Sequence, residues 1–245
     1  MNNKFVIVSA TYNTERFIGR NIVTSKKQKY KNFKHIIIDD MSTDRTYEAA
    51  KKYIDGDERY LLIKNETKCC SLENIYNVIY KHTEENDIVV ILDGDDLFAS
   101  QNVLSILNDV YNTSECLLTY GSYMNLSNKE RGKFSKELPE WVIEKNLFRE
   151  YAWCTSHLRS FRSSLFKKIK EQDLKNSDDK FYDMAGDLAI MFPMLEMAGK
   201  NSYYIKDILY IWNDESDLNE HKIDNAKQVK NEREVRSKEK YNAIK

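Results

Sequence analysis

The sequence predicts an α/β protein with a doubly wound, mainly parallel sheet and helices on both faces. Three observations lead there. The apolar runs at residues 4–10, 35–38 and 88–92 are continuous rather than alternating, which is the pattern of strands buried on both faces. Segments of helical period alternate with such runs as far as position 120. Two of the runs end in carboxylates, Asp39-Asp40 and Asp93-Gly94-Asp95-Asp96, and ligands of open parallel sheets bind at the carboxyl ends of strands.

In chain order, the first strand (residues 4–10) runs into a polar loop, where Thr14 can cap a helix carrying Phe17, Ile18 and Ile22. The second strand ends at Asp39-Asp40-Met41-Ser42-Thr43-Asp44 and opens a helix with Tyr47, Ala50 and Ile54 on one face. Residues 60–64 form a third strand, after which Ser71 caps a helix bearing Leu72, Ile75, Tyr76, Ile79 and Tyr80. The fourth strand is the run that delivers Asp93, Asp95 and Asp96. Ser100 then caps a helix with Val103, Leu104, Leu107, Val110 and Tyr111, and residues 116–120 form a fifth strand.

Beyond position 125 the pattern loosens. Residues 125–139 are polar, residues 141–148 are amphipathic without clear caps, and residues 153–159 lead into a basic, helix-like stretch at 165–169. Asp183 and Asp187 precede an apolar helix over residues 188–197, which Pro193 could kink and Gly199 could end as a C-cap. Residues 203–212 read as a strand with aromatic ends, and residues 213–221 as a polar loop. Residues 222–245 carry eight Lys/Arg against four Asp/Glu, which reads as a charged C-terminal helix or tail. The organisation expected is one domain over residues 1–221, with halves at about 1–122 and 123–221, followed by that segment.

Composition narrows the function classes. A hydrophobic fraction of 41%, with 16 Tyr and 10 Phe, fills a sizeable core and argues against disorder. A net charge of -1 supplies no field for capturing nucleic acid. No run reaches the ~18 apolar residues of a membrane span, and no signal-peptide core follows the first residues, so the expectation is a soluble, cytoplasmic protein. Cys69, Cys70, Cys116 and Cys154 form no metal-binding spacing and read as free thiols. Oligomeric state leaves no mark in the sequence.

The acidic stretch carries the chemistry. Close carboxylates such as Asp93, Asp95 and Asp96 repel one another and need a shared proton or a cation. A hard divalent metal with oxygen ligands is the simplest remedy. A second acidic strand end, and Asp187 opening an apolar helix, make a solubility role for these groups a poor explanation.

With these pieces in view, the sequence resembles glycosyltransferase family 2 of the GT-A fold. The matching segments are Ser9-Ala10-Thr11-Tyr12-Asn13, Ile38-Asp39-Asp40-Met41-Ser42-Thr43-Asp44-Arg45-Thr46, Leu92-Asp93-Gly94-Asp95-Asp96 and Ala185-Gly186-Asp187-Leu188. They occur in family order over residues 4–199. The resemblance implies a nucleotide-sugar pocket lined by Thr11, Tyr12, Asn13 and Glu15, with Asp40 beside the base and Asp93 and Gly94 near the ribose and diphosphate. It implies a divalent metal, Mn²⁺ or Mg²⁺, held chiefly by Asp95 with Asp93 close by, Asp96 following. It makes Asp187 the catalytic base, with Asp183 as the fallback. His157 and Arg159 lie where the family joins donor and acceptor sites, and His221 is a candidate third metal ligand. Trp153 and Trp212 are candidate sugar-stacking platforms, though large aromatics are commonly packing groups.

The implied activity is inverting transfer of a single sugar from a nucleotide-diphosphate sugar, UDP-linked by preference, to a hydroxyl of a glycan or protein. Three departures stand out: Ala10-Thr11 lacks the usual Pro, Met41 stands where the family commonly has Gly, and Gly186 where it often has Glu. The missing Gly suggests a different turn. The Gln-x-x-Arg-Trp motif of processive members is absent. Two rival readings are a nucleotide-sugar-binding module without turnover, and a haloacid-dehalogenase-like phosphatase with Asp93-Gly94-Asp95 as its nucleophile motif. The phosphatase motif normally ends the first strand, whereas here it follows about 90 residues of α/β structure.

Overall fold

The computed structural model describes residues 2–113, 115–216 and 223–244. Its strands are β1 (Phe5–Thr11), β2 (Phe33–Asp39), β3 (Tyr60–Lys64), β4 (Ile88–Ile91), β5 (Leu97–Phe98), β6 (Leu118–Asn125), β7 (Arg159–Arg162) and β8 (Ser202–Trp212). Its helices are α1 (Ile18–Lys26), α2 (Thr46–Ile54), α3 (Ser71–His82), α4 (Val103–Thr113), α5 (Glu140–Glu144), α6 (Ser163–Phe166), α7 (Gly186–Ala198) and α8 (Asn225–Ser237).

Among the described residues the strands form one sheet in the order β3-β2-β1-β4-β7-β6-β8-β5. β3, β2, β1 and β4 are mutually parallel, as the continuous apolar runs require. β7 enters antiparallel between β4 and β6, β6 and β8 run parallel, and β5 closes the far edge antiparallel to β8. Residues 92–96 alone join β4 to β5, although three strands lie between them in the sheet. So short a connection requires the sheet to curl.

Each strand buries alternate residues on opposite faces. Phe5, Ile7, Ile37 and Val90 join Ile18 and Ile22 of α1 and Leu104 and Leu107 of α4. Val6, Val8, Ile36, Ile38, Val89 and Ile91 join α3 and the largely apolar α7. Helices therefore cover both faces, as expected. His35, buried under α1, is satisfied by the hydroxyls of Ser9 at 2.8 Å and Ser25 at 2.9 Å. Burial lowers its pKa to about 3, so it stays neutral.

Several elements differ from the sequence expectation. The strand expected at 116–120 starts two residues later and runs on through Asn125, because β8 continues alongside it to Trp212. β7 has only four residues, Arg-Ser-Phe-Arg, too short for alternation to register; it exists because β4 and β6 flank it. Thr14 does not cap α1 with its side chain; its carbonyl accepts from Phe17 and Ile18 N–H at 2.8 and 2.9 Å, and its hydroxyl pairs with that of Thr11. Pro193 sits within α7, which continues to Ala198, and Gly199 (φ 52°) ends it.

The charged C-terminal segment is a helix packed on α7. Val235 is buried, and Asn231 Nδ2 donates to the Met184 carbonyl at 3.1 Å. Beneath it Arg149 and Glu196 form a buried bidentate pair at 2.5 and 3.0 Å, while Arg149 also donates to the Val235 carbonyl at 2.6 Å. Ile244 N–H bonds the Met197 carbonyl at 2.9 Å, which ties the chain end to the same helix.

Candidate functional site

The site forms at the carboxyl ends of β1, β2 and β4, where the β4–β5 loop carries Asp93, Gly94, Asp95 and Asp96. Asn21 of α1 clamps this loop: its Nδ2 donates to the carbonyls of Asp93 and Asp96, each at 2.9 Å. Gly94 is needed for close approach, since a Cβ there would lie 2.5 Å from the Thr11 side chain. Thr11 and Gly94 thus hold β1 and the acidic loop together.

From the other side β8 supplies Tyr210. Its hydroxyl donates to Asp96 Oδ2 at 2.5 Å and lies 3.2 Å from Asp93 Oδ2. Asn213 N–H occupies the second Asp96 oxygen at 2.6 Å. The His157 ring stacks on Tyr210 with centroids 4.4 Å apart. Burial, and then the charge of Asp93, pushes the Asp95 carboxyl up to about 6. Burial and both neighbouring carboxylates push Asp96 well above the usual range.

This arrangement fits a dication. Asp93, Asp96 and His157 each bring a potential ligand atom within 4.8 Å of the others, and a cation would relieve the repulsion that raises Asp95 and Asp96. Asp96 already has a hydrogen bond on each oxygen, and His157 Nδ1 faces Arg159 Nη2 at 3.2 Å. Asp95 is half-buried, with Ser216 as a hydrogen-bond partner. His221 lies outside the described residues.

Arg159, the first residue of β7 and paired with Ile91 at the end of β4, links the acidic loop to α7. Its Nη2 is 3.4 Å from Asp93 Oδ2 and its Nη1 is 3.6 Å from Asp187 Oδ2. The guanidinium is buried, and its Nε has no hydrogen-bond partner among the described residues. Burial raises the pKa of Asp187, and the facing Arg159 opposes that rise. Asp187 sits in the first turn of α7, where its Oδ1 accepts the Leu188 N–H at 2.9 Å. Asp183, the fallback base, pairs instead with Lys227 of α8.

The residues expected around a nucleotide divide into two groups. Asp40 is buried and accepts from Asn65 Nδ2 and the Cys69 N–H, both at 2.8 Å, beside Tyr12, whose ring carries the Lys68 ammonium. Asn13 and Glu15 join loops: Asn13 Oδ1 accepts the Thr43 N–H at 2.8 Å, and Glu15 pairs with Arg45 at 2.9 Å. Met41, where a different turn was expected, keeps the left-handed conformation at φ 60°. The Gly-type turn is retained without the glycine. Trp153 packs edge-on against Phe192 and Trp212 against Tyr123, so both aromatics have core partners. All four cysteines are free.

Sequence reasoning missed Asn21 and Tyr210. Asn21 stands at i+3 from Ile18, a polar residue inside an apolar helical stripe, which is a usable signal. Tyr210 has no such mark, because residues 203–212 contain seven other apolar or aromatic residues of similar character.

Comparison with known proteins identifies the family and the fold. The family model described as Glycosyl transferase family 2 matches residues 6–170. Glycosyltransferase GlyG of Streptococcus pneumoniae is 23% identical over 224 residues, covering 86% of this chain and 71% of that protein. Putative glycosyltransferase EpsE of Bacillus subtilis is 34% identical over 95 residues, 38% of this chain and 34% of its own. Among solved structures, Staphylococcus aureus TarS 1–349 superposes with a TM-score of 0.67 at 18% identity, covering 86% of this chain and 60% of that one. The same protein in complex with UDP-GlcNAc gives 0.63 at 17% identity, with 86% and 58% covered. The chain spans 46% of an uncharacterized glycosyltransferase of Haemophilus influenzae and only a third of EpsE. Among the described residues no helix is long and apolar enough to cross a membrane.

Proposed function

The chain belongs to glycosyl transferase family 2 and has the GT-A fold, and from that premise we propose that it is an inverting glycosyltransferase moving one sugar from a nucleotide-diphosphate sugar to an acceptor hydroxyl. The observation that carries the reading is Arg159 held between Asp93 of the acidic loop and Asp187 at the start of α7. Leaving-group and base functions then face each other across one guanidinium. A UDP donor is favoured, since TarS, whose fold this chain shares, has been solved with UDP-GlcNAc and with UDP.

In this reading Tyr12 and Asp40 hold the base end of the nucleotide, and Thr11 and Gly94 shape the floor beneath the ribose. Asn13 and Glu15 keep the two surrounding loops in register. Asp95 and Asp93 would hold Mn²⁺ or Mg²⁺, with Asp96 fixed behind them by Tyr210 and Asn213. The ion would supply Lewis-acid stabilisation of the departing diphosphate. Arg159, with a donor N–H still to be satisfied, adds positive charge beside the same oxygens, and neutral His157 packs next to it.

Asp187 removes the proton from the acceptor hydroxyl as that oxygen attacks the anomeric carbon, and the bond to the diphosphate breaks on the opposite side. The products are an inverted glycoside, a nucleoside diphosphate and a proton held on Asp187. Burial strengthens Asp187 as a base, and Arg159 keeps it ionised until attack. The test is a panel of nucleotide sugars with Mn²⁺ or Mg²⁺, read as released UDP or GDP. Asp187→Asn should retain donor affinity and lose roughly 10²–10⁴-fold in transfer rate. Full activity in that variant would remove Asp187 from the base position. Donor binding without turnover on any acceptor would favour a binding module instead.

A further inference from the structure

Residues 16–38 hold seven Lys/Arg and no Asp/Glu, in a chain whose totals of 38 and 39 almost cancel. Five of the seven, Lys26, Lys27, Lys29, Lys31 and Lys34, fall within nine residues, from the end of α1 to the start of β2. The residues between them are anchored to the body of the protein. Gln28 is fully buried: its Nε2 donates to the Thr24 and Ser100 carbonyls at 3.1 and 2.7 Å, and its Oε1 accepts the Leu104 N–H at 3.1 Å. The Lys29 N–H bonds the Gln101 carbonyl at 2.8 Å, and the Tyr30 hydroxyl donates to the Asn3 carbonyl at 2.6 Å. Phe33 is buried at the start of β2. So braced, the loop turns Lys27, Lys29, Lys31 and Lys34 out to solvent, all four exposed.

The fold does not neutralise these charges. Among the described residues none of the five lysines pairs with a carboxylate, whereas Lys4, Arg45, Arg59 and Arg149 each do. Asp57, the acid that feels Lys26, is already held by Arg59 at 2.7 Å. Like charges fixed on one braced loop repel one another, and a negative partner would relieve that repulsion.

The side chains also say what kind of partner fits. Lysine presents a hydrated point charge, not the bidentate fork with which arginine grips a single phosphate. Both aromatic rings of the stretch are packed, Tyr30 on Phe5 and Phe33 on Tyr60, so they offer no platform for stacking a nucleobase. Several lysines on one exposed loop suit an extended sheet of negative charge, such as lipid headgroups.

We propose that residues 26–34 dock the protein on an anionic membrane surface, as a peripheral contact made by lysine alone. Phe33 opens β2 and Asp39 closes it, so the loop and the candidate active site lie at opposite ends of a seven-residue strand, ~20 Å apart. Docked in this way, the acidic loop and Asp187 face away from the lipid, and the acceptor hydroxyl is met on the aqueous side. The contact is independent of the transfer chemistry, because none of these lysines belongs to the donor or base machinery.

The test sediments the full chain with vesicles of phosphatidylcholine alone, or of phosphatidylcholine and phosphatidylglycerol in equal parts. Binding to the anionic vesicles only is expected, and it should vanish when salt rises from about 0.1 M to about 1 M, as the Debye length falls from ~10 to ~3 Å. Replacing Lys27, Lys29 and Lys31 together by Gln should weaken binding about 100-fold, roughly fivefold per lysine, and replacing all three by Glu should abolish it. The same reversal to Glu at Lys129, Lys133 and Lys136, exposed after β6, changes net charge equally and should leave most of the binding in place. UDP affinity and the urea unfolding midpoint, measured on the Gln variant, should match the wild type. No binding to the anionic vesicles, equal binding to neutral ones, or a Gln variant that binds like the wild type would overturn the proposal. So would equal loss in the Lys129, Lys133 and Lys136 variant, or tighter binding to duplex DNA than to the vesicles at the same salt. Failure of the wild type to bind UDP bears on the donor reading and not on the membrane contact.

Discussion

Met41 shows how a single residue can retain a turn at a cost. It is 42% exposed and sits at φ 60°, a conformation that costs an L-residue about 1–2 kcal/mol. The fold tolerates this because Ser42 N–H bonds Asp39 Oδ1 at 3.3 Å and Asn13 and Ser42 lock the neighbouring loop. Met41→Gly removes the strain but also loosens the unfolded chain, so the net gain should be ~0.5–1 kcal/mol. Urea unfolding checks this, and a loss of stability would mean that the Met41 side chain makes contacts worth more than the strain. Arg159 is the converse case. Its type and position were legible as a candidate, but a buried guanidinium between Asp93 and Asp187 was not, since no spacing in the sequence relates those three positions.

At the scale of elements, the acidic loop is positioned by parts that do not touch it in sequence. α1 supplies Asn21, β8 supplies Tyr210, and β1 supplies the surface against which Gly94 packs. Asn21→Ala removes both clamps on the Asp93 and Asp96 carbonyls and should cost about 1–3 kcal/mol. It should also weaken Mn²⁺ binding in the presence of UDP, measured by calorimetry or electron paramagnetic resonance. Lower stability with unchanged Mn²⁺ affinity would show that the clamp serves the fold and not the site. Most helices and the parallel strands were legible because local periodicity encodes them. β7 was not, because four residues with arginine at each end form a strand only when β4 and β6 provide the partners.

Across the whole molecule, the C-terminal segment closes the structure over α7. Arg149 and Glu196 are both almost fully buried and tie residues 146–151, α7 and α8 together. Arg149→Met leaves the Glu196 carboxylate without its partner and should destabilise the protein by about 3–5 kcal/mol. The double variant Arg149→Met with Glu196→Leu should recover much of that loss. Urea denaturation of both variants decides it, and an equal loss in the double variant would assign the effect to packing rather than charge. The sequence by itself determined the alternation of buried strands and amphipathic helices, the carboxylates at two strand ends and the aspartate that opens α7. Each of these depends on neighbours within a few residues, and periodicity records such neighbours. Only the tertiary structure decided that Tyr210 holds Asp96 across 114 positions and that Arg159 reaches Asp93 across 66. Those contacts follow from the order of strands in a curled sheet, which is set by long-range pairing and burial and leaves no repeat in the chain to be read.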